Sequence, residues 1–166
     1  LRRKTAVQQL KSEQRTTRRV EARRKVKSSS LLRQLSAFSS LTKERFDRCV
    51  EAFEYLEYTA GATIMLQGEA ANRFMVLVKG KCNVLQAKEN CQDSAVQRIV
   101  GHMEAPCFFG ESALLPSIKE GETPCRVASV VAANNSGTTA EETEPVQILS
   151  LSRDDFTKLI EEGSDE

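Results

Sequence analysis

Residues 108–115 read FFGESALL, and RVAS follows at 126–129, eleven positions after the first stretch ends. Gly110 allows a tight turn out of a strand, and the residues after it fit a single helical turn. The start of a helix offers free backbone N–H groups and a partial positive charge, which attract anions. We expect Arg126 to add a bidentate contact to phosphate oxygens. Glu111 suits a ligand that also carries a hydroxyl donor, so the pattern predicts a site for a sugar phosphate of low charge.

Short apolar runs separated by glycine and polar residues surround this stretch from about residue 55 onward. In 74–79, Phe74, Val76 and Val78 alternate with their neighbours, which predicts a strand with one packed face and one less packed face. The other predicted strands are 84–85, 96–100, 127–131 and 146–151, and the predicted surface loops are 88–94, 116–125 and 133–145.

Helical periodicity brackets the strands. Thr42 is placed to cap one helix. Ser152 and Asp155 form a capping box that predicts the start of another helix, and Leu151 and Phe156 stand at the two positions of a hydrophobic staple there. The apolar positions are Leu31, Leu32, Leu35 and Phe38 in a first short helix, Phe46, Cys49, Val50 and Phe53 in a second, and Phe156, Leu159 and Ile160 in the last. The chain is therefore predicted to be mainly β with flanking helices, an antiparallel β-roll or jelly-roll barrel with an N-terminal helical segment and a C-terminal helix.

The charge divides the chain in two. Residues 1–27 hold eleven Lys or Arg and two acids, a net charge of +9, which leaves −8 for the rest. We therefore predict a basic arm at 1–30, helical or disordered, joined to one domain at 31–166. The arm is interpreted as a solvated flank, as a contact for an acidic partner such as lipid or nucleic acid, or as an intramolecular docking segment. Its RRKTA sequence at 2–6 also resembles the substrate pattern of basophilic kinases.

Composition restricts the chemistry. The chain has five Cys without a C-x-x-C motif, and His102 is its one histidine, so a structural zinc site or a histidine-based triad is disfavoured. With no nucleophile–base pair in view, we expect neither enzymatic activity nor a metal or cofactor. No apolar run approaches the ~18 residues of a membrane span, and no secretory signal opens the chain, so we expect a reduced, cytoplasmic protein.

Taken together, these motifs resemble the cyclic-nucleotide-binding domain of protein kinase A regulatory subunits, cyclic-nucleotide-gated channels and catabolite activator proteins. That family has a phosphate-binding cassette that reads roughly F-G-E-hydrophobic-A-L and then P-R-x-A-S/T. Here FGESAL stands at 109–114 and PCRVAS at 124–129. The likeness runs over about 31–160, and its other motifs are LSAFSSL at 35–41, QGE at 67–69, FMVLVKG at 74–80 and LSLSRDDF at 149–156.

The resemblance implies roles for individual residues. Glu111 would accept the ribose 2′-OH, Arg126 would pair with the exocyclic oxygens of the cyclic phosphate, and amides near Ala113 and Val127 would complete the cradle. Val127 lacks the hydroxyl that Thr supplies in cGMP-selective relatives, so cAMP is favoured over cGMP. The implied ligand-binding residues are Gly110, Glu111, Ser112, Ala113, Arg126, Val127 and Ala128.

Two functions follow from the resemblance. The first is a sensor that binds a cyclic nucleotide and switches other segments or subunits of a larger signalling protein through a hinge helix at 152–162. The alternative is a degenerate domain of the same fold that serves as a ligand-independent protein–protein interaction module. Three departures from the family pattern favour the alternative: Ser112 replaces an apolar residue, 116–125 lengthens the cassette, and Cys125 separates Pro from Arg. A catabolite-activator type of DNA-binding regulator would need a helix-turn-helix outside this chain.

Overall fold

The computed structural model describes residues 17, 32–87, 96–115, 124–134 and 144–161. Of residues 160 and 161 it describes the main chain only. The basic arm predicted at 1–30, apart from Thr17, and the cassette insertion at 116–123 lie outside these residues, as do most of the other two predicted loops. Their predictions stay predictions.

Eight strands and three α-helices make up the described chain. The helices are α1 (Ser36–Ser39), α2 (Lys43–Ala52) and α3 (Arg153–Glu161), and two 3₁₀ turns span Leu32–Gln34 and Glu111–Leu114. The strands are β1 (Glu54–Tyr58), β2 (Thr63–Met65), β3 (Arg73–Lys79), β4 (Lys81–Ala87), β5 (Gln97–Glu104), β6 (Cys107–Phe109), β7 (Ser129–Ala132) and β8 (Val146–Ser152). None of the helices described is long and apolar enough to cross a membrane.

The strands form two four-stranded antiparallel sheets. One sheet has the order β1-β8-β3-β6 and the other β2-β7-β4-β5. In the first sheet, β8 lies between β1 and β3, so that Leu149 is paired with Tyr55 on one side and Val76 on the other. The predicted antiparallel β fold with flanking helices is confirmed, with the strands arranged as a two-sheet roll rather than a closed barrel.

β3 corrects one sequence prediction. Four consecutive residues of the strand, Phe74–Leu77, are all buried. The prediction that one face is packed and the other is less packed is therefore wrong. Phe74 and Val76 face a cluster that includes the helices, whereas Met75 and Leu77 face the space between the two sheets. A central strand covered on both faces has no solvent-facing side, which removes the alternation of burial.

The helices pack on the first sheet through an aromatic cluster. Phe38 of α1 is fully buried, and its ring centroid lies 5.6 Å from that of Phe74, 5.6 Å from that of Phe156 in α3, and 6.5 Å from that of Phe53. Such tilted and edge-on pairs stabilise a core beyond the area that they bury. The aromatic cluster therefore joins α1, the end of α2, β3 and α3 into one packed layer.

Both predicted helix caps are confirmed. The Thr42 hydroxyl accepts the Arg45 N–H at 3.4 Å at the start of α2, and the Ser152 hydroxyl accepts the Asp155 N–H at 3.0 Å at the start of α3. These bonds satisfy amides that have no partner within the helix. The start of α3 is thus fixed on the last residue of β8.

We expect Phe38→Ala to lower the free energy of unfolding by about 3–5 kcal/mol, because it leaves a cavity among Phe53, Phe74 and Phe156. Ile99→Ala is the comparison, since Ile99 is 53% exposed and its loss should cost under about 1 kcal/mol. Urea denaturation followed by circular dichroism measures both. Similar losses in the two variants would contradict this account of the core.

Candidate functional site

The chain enters the site from β6. Phe108 packs on the aromatic cluster and Phe109 packs between the sheets, so the end of β6 is held on both faces. Gly110 follows with φ +76°, a left-handed backbone conformation that residues with a side chain rarely adopt. The 3₁₀ turn Glu111–Leu114, here called the cassette turn, then begins, and Ala113 N–H donates to the Gly110 carbonyl at 3.0 Å. The predicted helical turn is therefore present.

Arg126 is buried beside Gly110. It is 5% exposed, and its guanidinium donates to the Gly110 carbonyl at 3.3 Å and to the Arg73 carbonyl. A Cβ at Gly110 would lie 2.7 Å from Arg126 Nη1, so the missing side chain of glycine makes room for the guanidinium. Within the described residues, these bonds engage two of the five N–H donors of the guanidinium. The other donors have no recorded partner among these residues.

The charge on Arg126 is poorly compensated by its direct contacts. Burial lowers the pKa of Arg126 from its ordinary value, and the nearby carboxylates of Glu69 and Glu111 act in the opposite direction. An arginine stays protonated in proteins, so the site holds a buried cation whose direct hydrogen bonds go to neutral carbonyls. An anionic ligand would therefore gain a charge-assisted contact there.

Main-chain pairing places Arg126 despite the extra Cys125. Arg126 N–H donates to the Glu69 carbonyl at 2.7 Å, and Gly68 N–H donates to the Arg126 carbonyl at 2.9 Å. Ala71 N–H also donates to the Pro124 carbonyl at 2.6 Å. Cys125 is exposed within this pairing, so the additional residue does not remove the guanidinium from the Gly110 side of the site.

The predicted site residues fall into two facing groups. Gly110, Glu111, Ser112 and Ala113 lie at and after the end of β6, and Arg126, Val127 and Ala128 lie just before β7. Glu111 is exposed, and it lies close enough to Arg126 for its charge to raise the pKa of the guanidinium. The two groups of predicted residues are therefore near each other.

The amides of the expected cradle differ in availability. Ala113 N–H is already paired within the cassette turn, and the Ala113 side chain is buried. Val127 is 78% exposed, its carbonyl accepts from Gln86 Nε2 at 3.2 Å, and its N–H has no recorded partner among the described residues. Ala128 is buried next to it. The Val127 amide is thus the better placed of the two expected donors.

Sequence reasoning missed the residues that support the site from outside the cassette motif. Arg73 contributes its carbonyl, a group that every residue has, so no side-chain pattern identifies it. Arg153, at the start of α3, donates from Nη1 to the Ala113 carbonyl at 2.9 Å. The motif LSLSRDDF contains Arg153, but only the fold shows that it meets the cassette turn.

Nowhere in the described chain do three or more His, Cys, Asp or Glu side chains come together as a metal site. His102 is exposed on β5, with Nδ1 2.8 Å from Asn83 Oδ1. The donors at the site are guanidinium and amide groups, which bind anions.

The described chain is thus an antiparallel β-roll in which a buried arginine lies beside a 3₁₀ turn. The family model described as "Cyclic nucleotide-binding domain" matches residues 55–162. The chain therefore belongs to the cyclic nucleotide-binding domain family.

Curated relatives of two kinds are similar to this chain. The cGMP-dependent protein kinase egl-4 of Caenorhabditis briggsae is 29% identical over 144 residues, covering 87% of this chain and 17% of that protein. A cAMP-dependent protein kinase regulatory subunit of Colletotrichum orbiculare is 30% identical over 131 residues, covering 78% of this chain and 27% of that protein. The chain thus spans well under a third of the length of these relatives.

Solved structures agree with the fold. The regulatory domain of Toxoplasma gondii PKA with cAMP superposes with a TM-score of 0.58 at 23% identity, covering 87% of this chain and 46% of that one. The Thermus thermophilus catabolite activator protein gives a TM-score of 0.53 at 25% identity, covering 76% of this chain and 50% of that one.

Alanine substitutions at two glycines with similar positive φ angles distinguish the cost of backbone strain from the cost of a steric clash at the site. We expect Gly61→Ala (φ +82°, with open space around the added Cβ) to cost about 1–2 kcal/mol in unfolding free energy. Gly110→Ala should cost about 1–3 kcal/mol more, because its Cβ would displace the Arg126 guanidinium. Chemical denaturation of both variants measures the difference. Equal losses would show that Arg126 does not occupy the space beside Gly110.

Proposed function

We propose that this domain is a sensor that binds a cyclic nucleotide, cAMP in preference to cGMP, and switches a larger protein through α3. The observation that carries the proposal is Arg126, a buried cation beside the cassette turn whose direct hydrogen bonds go to neutral carbonyls. The proposed domain spans 31–166, and the proposed partners are other segments or subunits of a larger signalling protein.

The arrangement suits a cyclic phosphate on a ribose. Arg126 would hold the exocyclic phosphate oxygens, since its planar guanidinium binds two oxygens at once. The Val127 N–H would add a neutral donor beside it. Glu111, exposed at the start of the cassette turn, would accept the ribose 2′-OH. A cyclic phosphate carries a single negative charge, which one buried arginine neutralises.

The proposed purine preference rests on Val127. Relatives named for cAMP and for cGMP are both similar to this chain, so similarity alone does not separate the two nucleotides. Val127 has no hydroxyl with which to recognise guanine, and its side chain is 78% exposed beside the proposed phosphate contact. An apolar side chain there favours adenine, which does not need that hydrogen bond.

Calorimetric titration of the full chain with cAMP and with cGMP tests the proposal. We expect saturable binding with a lower Kd for cAMP. Arg126→Ala should raise this Kd about 100-fold, because it removes charge-assisted bonds worth about 1.5–3 kcal/mol each. Glu111→Ala should raise it only about tenfold, because water replaces a neutral hydroxyl contact more easily.

Arg98→Ala is the matched control, since Arg98 is an exposed arginine on β5 and its loss should leave the Kd unchanged. Arg126→Lys, which keeps a cation, is titrated as well in case the alanine variant does not fold. The absence of heat with either nucleotide at two temperatures would reject the sensor and favour the ligand-independent interaction module. A larger loss at Glu111 than at Arg126 would reverse the assigned roles.

Contacts of α3 with the cassette turn support the switching part of the proposal. Arg153 holds the Ala113 carbonyl with its side chain at 2.9 Å and donates its N–H to the Asn72 carbonyl at 2.8 Å. Leu114 packs on the aromatic cluster that also contains Phe156 of α3. A movement of the cassette turn on ligand binding would therefore be transmitted to α3 by one hydrogen bond and one apolar contact.

Hydrogen exchange followed by mass spectrometry tests this coupling. We expect saturating cAMP to change amide exchange in 153–161, and Arg153→Gln to reduce that change at least about threefold while the Kd for cAMP stays similar. Lys158→Gln removes the same charge from an exposed position of the same helix and should leave the response intact. An unaltered response in Arg153→Gln would exclude the Arg153 contact as the link.

A further inference from the structure

A buried serine joins three distant parts of the chain. Ser129, at the start of β7, is 1% exposed. Its hydroxyl oxygen accepts the Gln67 N–H at 2.9 Å and a Gln97 Nε2 hydrogen at 2.9 Å. A serine hydroxyl has two acceptor lone pairs, so these two bonds fill its acceptor capacity. Because the oxygen is buried, replacing it would leave both donors without this partner.

Gln67 extends these contacts to the β4–β5 hairpin. Its Oε1 accepts the N–H of Ala87, the last residue of β4, at 2.8 Å. Gln97 is the first residue of β5, so the two arms of the hairpin are bonded to the same junction. We call Gln67, Gln97 and Ser129 the glutamine–serine network.

The network lies next to the main-chain bonds that hold Arg126. Gln67 precedes Gly68 and Glu69, whose main-chain groups pair with both the N–H and the carbonyl of Arg126. Ser129 lies three residues after Arg126 on the same segment. The network therefore ties the 67–69 turn to the 126–129 segment at a second point, beyond the pairing at Arg126 itself.

The hairpin also holds the residue between these two points. Gln86, next to Ala87 in β4, donates from Nε2 to the Val127 carbonyl at 3.2 Å. The peptide groups of Arg126 and Val127 are thus held by the turn on one side and by the hairpin on the other. Among the described residues, the hydrogen bonds of the network join Gln67, Gln97, Ser129 and Ala87 to one another. The network would therefore act on a ligand through the main chain.

We infer that Gln67, Gln97 and Ser129 are positioning residues, which fix the Arg126–Val127 main chain so that the guanidinium and the Val127 N–H meet a phosphate together. This inference rests on the proposed function, since it assigns residues that set the affinity of the same site. It predicts that variants in the network loosen 126–129 in the free protein and weaken nucleotide binding, with no direct contact to the nucleotide.

Two neutral substitutions test the inference in the full chain. Ser129→Ala removes the acceptor, and Gln97→Met removes one donor at nearly the same side-chain length. Thr42→Ala is the control, because it removes the cap of α2 and lowers stability at a place with no contact to the network. Each variant is measured for amide exchange without nucleotide and for cAMP affinity well below its unfolding temperature.

We expect amide exchange in 67–69 and 126–129 to become about tenfold faster in Gln97→Met, the effect of losing one buried hydrogen bond, and at least about tenfold faster in Ser129→Ala, which loses two. The Kd for cAMP should rise about tenfold in each. The double variant should show less than the product of the two single effects, since both substitutions break the same bond. Thr42→Ala should leave exchange in these segments and the Kd unchanged.

Each outcome decides a separate question. Unchanged exchange in 67–69 and 126–129 would overturn the positioning role. Faster exchange with an unchanged Kd would also overturn it, because the network would then be structural only. If the wild-type chain binds neither nucleotide, the proposed function fails, while the exchange measurement still decides whether the network fixes this segment. If Ser129→Ala does not fold, Gln97→Met, which alters a half-buried side chain, carries both measurements.

Discussion

The hydrogen bonds between the Arg126 guanidinium and the carbonyls of Gly110 and Arg73 are the contact on which the site depends. A buried cation is costly unless polar groups surround it, and here the groups that do so are main-chain carbonyls. Those carbonyls are in reach only because Gly110 has no side chain. The site therefore requires the end of β6, the start of β3 and the segment before β7 to meet within a few ångströms, and the two-sheet roll is what brings them there.

The double burial of β3 serves this requirement. The strand is packed by the helices on one face and by the second sheet on the other, so its path cannot adjust to a local change. Its first residue, Arg73, is further held by its side chain, which donates to Ser150 Oγ at 3.1 Å and pairs with Glu54 at 3.5 Å. The Arg73 carbonyl is thus presented to Arg126 from a well-packed position, which would preorganise the proposed anion site.

Sequence patterns predicted the local features well because those features are encoded locally. The caps at Thr42 and Ser152, the helical turn after Gly110 and the extended segments follow from residues close to one another in the chain, whereas the pairing of strands such as β1 with β8 joins residues that are far apart in it. The carbonyl partners of Arg126 have no such signature. The bond from the Gln67 N–H to the Ser129 hydroxyl spans 62 residues and joins a main-chain amide to a side chain that is unremarkable in sequence, so only the fold reveals it. For the same reason, sequence alone does not show that Arg126 keeps its place beside Gly110 despite the extra Cys125. That placement depends on main-chain pairing with the distant 68–71 segment.

The cassette turn is held at both ends by arginines with different roles. Arg126 bonds the Gly110 carbonyl at its start, and Arg153 of α3 bonds the Ala113 carbonyl near its end. A ligand changes the position of α3 only if it binds one arrangement of this turn more tightly than another. Under the proposed function, a phosphate bound to Arg126 would provide that difference if it altered the bond from the guanidinium to the Gly110 carbonyl, because that carbonyl starts a turn whose other end is bonded to the helix. Under the same proposal, the glutamine–serine network would fix the main chain of Arg126, so that the adjustment would occur in the cassette turn rather than in the segment that carries the arginine.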